Sequence, residues 1–320
     1  MNRSDCFAKA DAALKEKIAK NRDEEARRVE KLYKQIPRLR EIENELKDNI
    51  SKFALFAFSG NKSEDAFNEF RKRSLELQAE RSDILTHEGL PQNAHERRYY
   101  CEKCKDVGYT EEGNCECFKR ELSKQMLENS NLSAAYREKT FENFDLTYYK
   151  NPVDREKMEL TLGYAKKYVK NFKTNKENLL FMGRSGSGKT YISCAIGIAL
   201  AEAGNYVCYV AAQDMISEFE SEKFGKSDKG QETRRFYDAD LLIIDDLGSE
   251  FRTQFSESVI YNVINSRLNS QKPMIISTNF RPAELSGEYH ERIVSRLLNE
   301  FLTPIFADVD VRELKKLGRR

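Results

Sequence analysis

The stretch GRSGSGKT, Gly183 to Thr190, constrains this chain more than any other. It fits the spacing G-x-x-x-x-G-K-[ST]. With glycine usage of about 7%, chance matches in a chain of this length arise on the order of 1% of the time. An apolar run, LLFM, precedes it and a helical stretch, YISCAIGIALAEAG, follows it. A strand, a glycine loop and a helix N-terminus in that order make a phosphate cradle. Backbone N–H groups turn inward, and the helix end adds partial positive charge. Gly183, Arg184, Ser185, Gly186, Ser187 and Gly188 form the loop. Lys189 is expected to reach the β and γ phosphates of a nucleotide, and Thr190 to supply a hydroxyl to Mg²⁺. A plain Gly-Ser surface turn is the alternative, and the flanking strand and helix speak against it.

From about residue 150, helical patterns alternate with short apolar runs: NLLFMG, VCYVAA, LLIIDDL and MIISTN. Runs of this kind suit strands of a parallel sheet covered on both faces, so the expected class is α/β. LLIIDDL ends on two acids. Asp245 is placed to hold Mg²⁺, mostly through water, and Asp246 to orient and deprotonate a water for attack on the γ-phosphate. Two capping carboxylates are the plainer alternative. MIISTN ends on Asn279, which alone is a turn signal. After the other two motifs it reads as a group positioning the same water. In ERIVSRLLNEF (291 to 301), Arg292 and Arg296 are either solvated helix charges or an arginine offered to a neighbouring subunit's γ-phosphate.

The 320 residues are enough for two or three domains. Lys and Arg number 54 against 53 Asp and Glu, a net charge of +1. No global field draws nucleic acid, and any polyanion site must be a local patch. No apolar run approaches the roughly 20 residues that span a bilayer. The N-terminal stretch lacks the apolar core of a secretory signal. A cytoplasmic location follows as the expectation, and with it reduced thiols.

Four of the seven cysteines fall in CEKCKDVGYTEEGNCECF, residues 101 to 118. Cys101 and Cys104 form a C-x-x-C knuckle, and Cys115 and Cys117 return as C-x-C. Four thiolates in one loop fit a tetrahedral, structural Zn²⁺ site that folds a segment too short to fold alone. An iron–sulfur cluster and free thiols are the competing readings. A redox pair would want one C-x-x-C beside a thioredoxin-like strand. The C-x-C half is the less usual one, so His95 is a candidate replacement ligand. Cys6, Cys194 and Cys208 lie apart, the last two in apolar segments as core fillers.

Residues 4 to about 90 read as three charged helices in a bundle or an antiparallel coiled arrangement. Pro37 suits a first helical turn, Gly60-Asn61 a turn, and Ser63, Glu64 and Asp65 a helix start. The run FALFAF (53 to 58) either packs between the helices or faces a partner.

The order of motifs resembles that of AAA+ ATPases. More narrowly, it is similar to bacterial replicative-helicase loaders of the DnaC/DnaI type and their transposition relatives, the IstB-like ATPases. TFENFD, GRSGSGKT, LLIIDDLGSE, IISTN and ERIVSRL stand in family order, with a cysteine segment similar to that of some members. The likeness covers roughly residues 98 to 312. It implies an AAA+ P-loop core with a parallel sheet, preceded by a helical domain and a small zinc-binding segment. The implied division is 1–96 for helicase binding, 97–135 for zinc and a linker helix, and 136–320 for the ATPase.

By the same resemblance Asp245 is the metal acid, Asp246 the catalytic acid and Asn279 the first sensor. Arg296 is the first-choice trans-acting finger, with Arg292 second, and Arg312 is a second sensor. Phe141 and Phe144 would lie near the adenine. The resemblance also implies single-stranded DNA binding, homo-oligomers on ATP binding, and a DnaB-type hexameric helicase as partner. Candidate DNA contacts are Arg252, Thr253, Phe255, Lys223, Phe224 and Lys226, where basic and aromatic side chains adjoin. Many AAA+ proteins carry Glu where Asp246 stands. The shorter arm implies slow turnover, suited to a switch.

The expected function is thus ATP-dependent helicase loading. The alternative is an IstB-like ATPase delivering a transposase to target DNA. A small-molecule P-loop kinase is disfavoured because no acceptor lid is apparent.

Overall fold

The computed structural model of the chain describes residues 2–58, 64–225 and 232–317, with the backbone alone for 66 and 315–317. The expected Gly60-Asn61 turn, the helix start at Ser63 and the candidate DNA contact Lys226 lie outside the described residues. The chain forms two compact units. One is Ala13–Cys117; the other takes the described residues up to Ala12 and those from Phe118 on.

Three long helices come first: α1 (Arg3–Gln35), α2 (Pro37–Phe58) and α3 (Glu64–His87). Pro37 opens α2, where its missing N–H and fixed φ cost nothing. Leu39, Ile42 and Leu46 recur at helical spacing on α2 and are buried. They meet Leu32, Leu77 and Leu85 in two small cores. Arg38 on α2 pairs with Glu80 on α3 at 2.6 Å, and Arg81 with Glu43 at 2.6 Å. The 53–58 run splits. Phe53 packs edge-on to Phe67 and Phe70, while Leu55 and Phe58 are 73% and 91% exposed. After α3 comes a short antiparallel hairpin, β1 (Tyr109–Thr110) and β2 (Gly113–Asn114), inside the cysteine loop.

The second unit contains α4 (Glu116–Asn129) from Phe118 on, α5 (Ala134–Arg137) and α6 (Pro152–Asn171). Thereafter strands and helices alternate: β3 (Asn178–Met182), α7 (Lys189–Glu202), β4 (Val207–Ala211), α8 (Ala212–Lys223), α9 (Arg234–Asp238), β5 (Leu241–Leu247) and α10 (Gln254–Asn269). The chain continues through β6 (Met274–Thr278), α11 (Pro282–Glu288), α12 (Glu291–Asn299), β7 (Phe301–Leu302) and α13 (Val311–Leu317). Five strands form a parallel sheet in the order β4-β5-β6-β3-β7. The four apolar runs read as strands are β3 to β6. The helix expected over 291 to 301 stops at Asn299, because Phe301 joins the sheet beside Asn178 as a strand of two residues.

The strand order places the C-terminal ends of β3, β5 and β6 side by side, where a parallel sheet carries its ligand. Leu241 to Ile244 are fully buried, as a doubly covered strand requires. α7 lies close on that strand because Gly197 has no side chain; a Cβ there would come within 2.9 Å of Ile243 Cδ1. Cys194 and Cys208 are core residues, and burial pushes their thiols up to about 12 and about 11.

Candidate nucleotide and zinc sites

The loop after β3 turns through left-handed backbone at Gly186 (φ 78°) and Gly188 (φ 103°), open to glycine at little cost. At Gly188 a side chain would also meet the Tyr149 hydroxyl at 3.0 Å. Tyr149 donates to Ser187 O at 3.2 Å, bracing the loop from below. The loop opens on a cleft of about 990 Å³, lined among others by Ser185, Gly186, Gly188, Lys189 and Thr190.

Lys189 is 6% exposed. Its three donors reach Gly183 O (2.6 Å), Arg184 O (2.9 Å) and Asn279 Oδ1 (2.9 Å). Burial lowers its pKa to about 8, with the charges of Asp245 and Asp246 opposing. The Asn279 amide continues to Asp246 Oδ1 at 2.8 Å. Lys189, Asn279 and Asp246 therefore form one hydrogen-bonded chain. Asp246 takes a left-handed φ of 57°, which turns its exposed carboxylate out of the strand direction. Ser249 N donates to Asp246 O at 3.1 Å, and Ser277 Oγ accepts from Asp246 N at 2.9 Å.

Asp245 is 7% exposed and takes hydrogen bonds from three hydroxyls. Thr190 Oγ1 is 3.1 and 3.0 Å from its two oxygens, Tyr209 donates to Oδ2 at 2.6 Å, and Ser277 donates to Oδ1. Burial first, then the charge of Asp245, raises the Tyr209 phenol, which stays protonated. Tyr209 and Ser277 were missed from sequence. The signal was available: a tyrosine and a serine inside apolar strands need polar partners. Oxygen donors from Thr190 and Asp245 facing one cleft suit a hard cation such as Mg²⁺.

Val311 N donates to Gly186 O at 3.0 Å, and the Asp310 carboxylate sits against Gly186. This brings Arg312 to the cleft wall. Phe144 lines the cleft, with Tyr191 edge-on at 5.1 Å, whereas Phe141 is not among the lining residues. Arg292 and Arg296 are also not among them. Arg296 is engaged on its own chain, with its guanidinium 4.5 Å from the Tyr261 ring and donating to Asn265 Oδ1 at 2.8 Å.

The DNA candidates divide. Thr253 caps α10, accepting from Ser256 N at 3.0 Å, and Arg252 pairs with Glu288. Lys223 lies 4.4 Å from the half-buried Phe255 ring. Phe224 is 70% exposed; Phe251, which the sequence reading passed over, is 83% exposed.

The four clustered cysteines converge, all Sγ atoms lying within 4.8 Å of one another. Cys101 and Cys115 are 3.7 Å apart, Cys104 and Cys117 3.6 Å. A tetrahedron with Zn–S bonds of about 2.3 Å has S–S edges of about 3.8 Å, so the set fits zinc. Asp106 Oδ1 accepts from Cys101 N at 3.0 Å, and Gly108 N donates to Cys104 Sγ at 3.3 Å. His95 is not in the cluster; its Nε2 lies 3.8 Å from Glu43.

A phosphate loop, two acids ending β5 and an asparagine just past β6, on a sheet ordered β4-β5-β6-β3-β7, define a P-loop nucleotide-binding protein of the AAA+ type. The chain belongs to the IstB-like ATP binding protein family, whose profile matches residues 110–299, more than half of it. It is similar to the replicative helicase loader DnaC of Buchnera aphidicola subsp. Schizaphis graminum, 24% identical over 176 residues, 54% of this chain and 69% of that one. It is similar also to DnaC of Escherichia coli (strain K12), 27% identical over 138 residues, 42% of this chain and 56% of that one. Among solved structures, the DnaC helicase loader matches with a TM-score of 0.47 at 23% identity, covering 54% of this chain and 99% of that one. Among the described residues no helix is long and apolar enough to cross a membrane.

Proposed function

We propose that this chain is an ATP-dependent loader of a hexameric replicative helicase, acting in the cytoplasm as a switch. One observation carries the reading: Lys189, Asn279 and Asp246 form a continuous hydrogen-bonded chain at the mouth of the phosphate loop. Such a chain links the group that senses phosphate to the group that activates water. The names of similar proteins support helicase loading as the purpose of that chemistry.

In this reading Gly183 to Gly188 and Lys189 bind the ATP phosphates, and Arg312 senses them from the cleft wall. Mg²⁺ held by Thr190 and Asp245 would neutralise phosphate charge. Asp246 takes the proton of the attacking water, which Asn279 orients. The short arm of Asp246, tied to Asn279, makes hydrolysis slow. Arg296, or failing it Arg292, completes the site of the next copy, so hydrolysis needs a homo-oligomer. Residues 1–96 bind the helicase, with exposed Leu55 and Phe58 as the apolar contact. Residues 97–135 carry structural zinc on Cys101, Cys104, Cys115 and Cys117, and 136–320 are the ATPase. Phe251 and Phe224, with Lys223 nearby, suit stacking and backbone contact with single-stranded DNA.

The test is co-purification of the full chain with the host's replicative helicase, with ATP or ADP, together with ATPase rates with and without single-stranded DNA. Nucleotide-dependent capture of the helicase and DNA-dependent turnover are expected. Capture of a transposase in its place would favour the transposition alternative. Hydrolysis at full rate by a solitary subunit, whatever its concentration, would overturn the switch.

A further inference from the structure

We propose that Tyr209 is a positioning residue which, together with Ser277, fixes the carboxylate of Asp245 for the Mg²⁺ that accompanies the nucleotide. The proposal rests on the Mg-ATP reading of the cleft. Asp245 stands on β5, whose sheet neighbours are β4 and β6. Tyr209 comes from β4 and Ser277 from β6, and each donates to a different oxygen of Asp245. One hydroxyl from each flanking strand therefore sets the plane of the carboxylate, and Thr190 meets both oxygens from the loop side.

The tyrosine is itself held from two sides. Its backbone N–H donates to Ser130 O at 2.9 Å. Its ring packs edge-on to Tyr136 at 5.3 Å, and Lys139 Nζ lies 4.1 Å from the Tyr136 ring. Tyr209 is 6% exposed and Ser277 1%, so neither hydroxyl is turned to bulk water. Phenylalanine would fill the same ring volume. What the tyrosine adds is one donor, and it is spent on Asp245. Outer partners of metal-binding groups, when removed, typically weaken metal binding about 10- to 100-fold.

The experiment measures affinity of the full chain for a fluorescent ATP analogue across a Mg²⁺ titration and in a chelator, for wild type, Tyr209→Phe and Ser277→Ala. Stronger binding by wild type with Mg²⁺ establishes the parent reading; its absence would refute that reading separately. Tyr209→Phe is expected to keep its chelator affinity and to need about tenfold more Mg²⁺ for half-effect. Ser277→Ala should shift the same way, and the double variant further. An unchanged Mg²⁺ requirement overturns the proposal. So does an equal loss of affinity with and without Mg²⁺, which would make Tyr209 a packing residue.

Discussion

The Asn279 side-chain amide donates to Asp246 Oδ1 at 2.8 Å while its oxygen accepts from Lys189. The asparagine therefore uses both ends of its amide, and the chain it closes crosses from the phosphate loop to the end of β5. A polar group spent this way acts on orientation more than on affinity. Asn279→Ala is expected to lower the ATPase rate on the order of 10²-fold, as loss of one preorganised donor does. Nucleotide affinity should change by less than about threefold. Equilibrium binding and steady-state rates measure the two; a loss confined to affinity would mean that Asn279 serves only Lys189.

Lys189 gives the cleft a pH dependence. Burial lowers it from 10.5 to about 8, against the pull of Asp245 and Asp246. Phosphate favours the charged lysine, so above pH 8 nucleotide binding must take up a proton. Affinity is expected to be level below about pH 8 and to fall about tenfold per unit above it. Folding responds with the opposite sign. Between about 8 and 10.5 the unfolded chain binds more protons than the folded one, so the cost of burying this charge, full below pH 8, is relieved as pH rises. Calorimetric titration from about pH 7 to 9.5 reads the affinity; a flat profile would show that the lysine keeps its proton throughout.

Arg296 rests on Tyr261 and Asn265 of its own chain. Acting on a neighbour requires it to leave those partners, which are individually worth about 1 kcal/mol. Arg296→Ala should retain ATP binding and lose on the order of 10³ in the rate of the assembled state. Mixing it with Asp246→Asn subunits should restore activity, since one chain then supplies the acid and the other the arginine. Failure of every mixing ratio would remove the trans role.

The sulfur spacing of the cysteine cluster leads to a stoichiometric expectation. Metal analysis should return one zinc per chain, and none once Cys101, Cys104, Cys115 and Cys117 are all serine. Chelation should expose the 101–117 loop to protease, because metal binding supplies the folding energy of so small a segment. Iron in place of zinc, or a protease pattern indifferent to chelator, would contradict the assignment.

Much of this molecule could be read before it was seen folded. The glycine spacing of 183–190 admits few backbones, and the apolar runs that became β3 to β6 are too short for helices and too apolar for surface strands. Lys189, Thr190, Asp245, Asp246 and Asn279 stood out as candidates because they sit at fixed offsets from those elements, and the fold gathers them around one cleft. Strand β7 escaped, since two residues carry no period and Phe301 continues the helical pattern of α12. Leu55 and Phe58 stay exposed while Phe53 of the same run packs, a division that depends on where α3 lies.

Local sequence determined the elements and the groups that stand at their ends, because period, turn chemistry and loop geometry act over a few residues. Only the tertiary structure decided which side chains meet across the sheet. Tyr209 and Ser277 reach Asp245 because β4 and β6 flank β5, and Arg267 is buried against the carbonyls of Phe236, Ala239 and Pro273. Those partners are 6 to 36 positions apart in sequence. Their pairing depends on strand order and packing, where burial makes each unmet polar group too costly to leave alone.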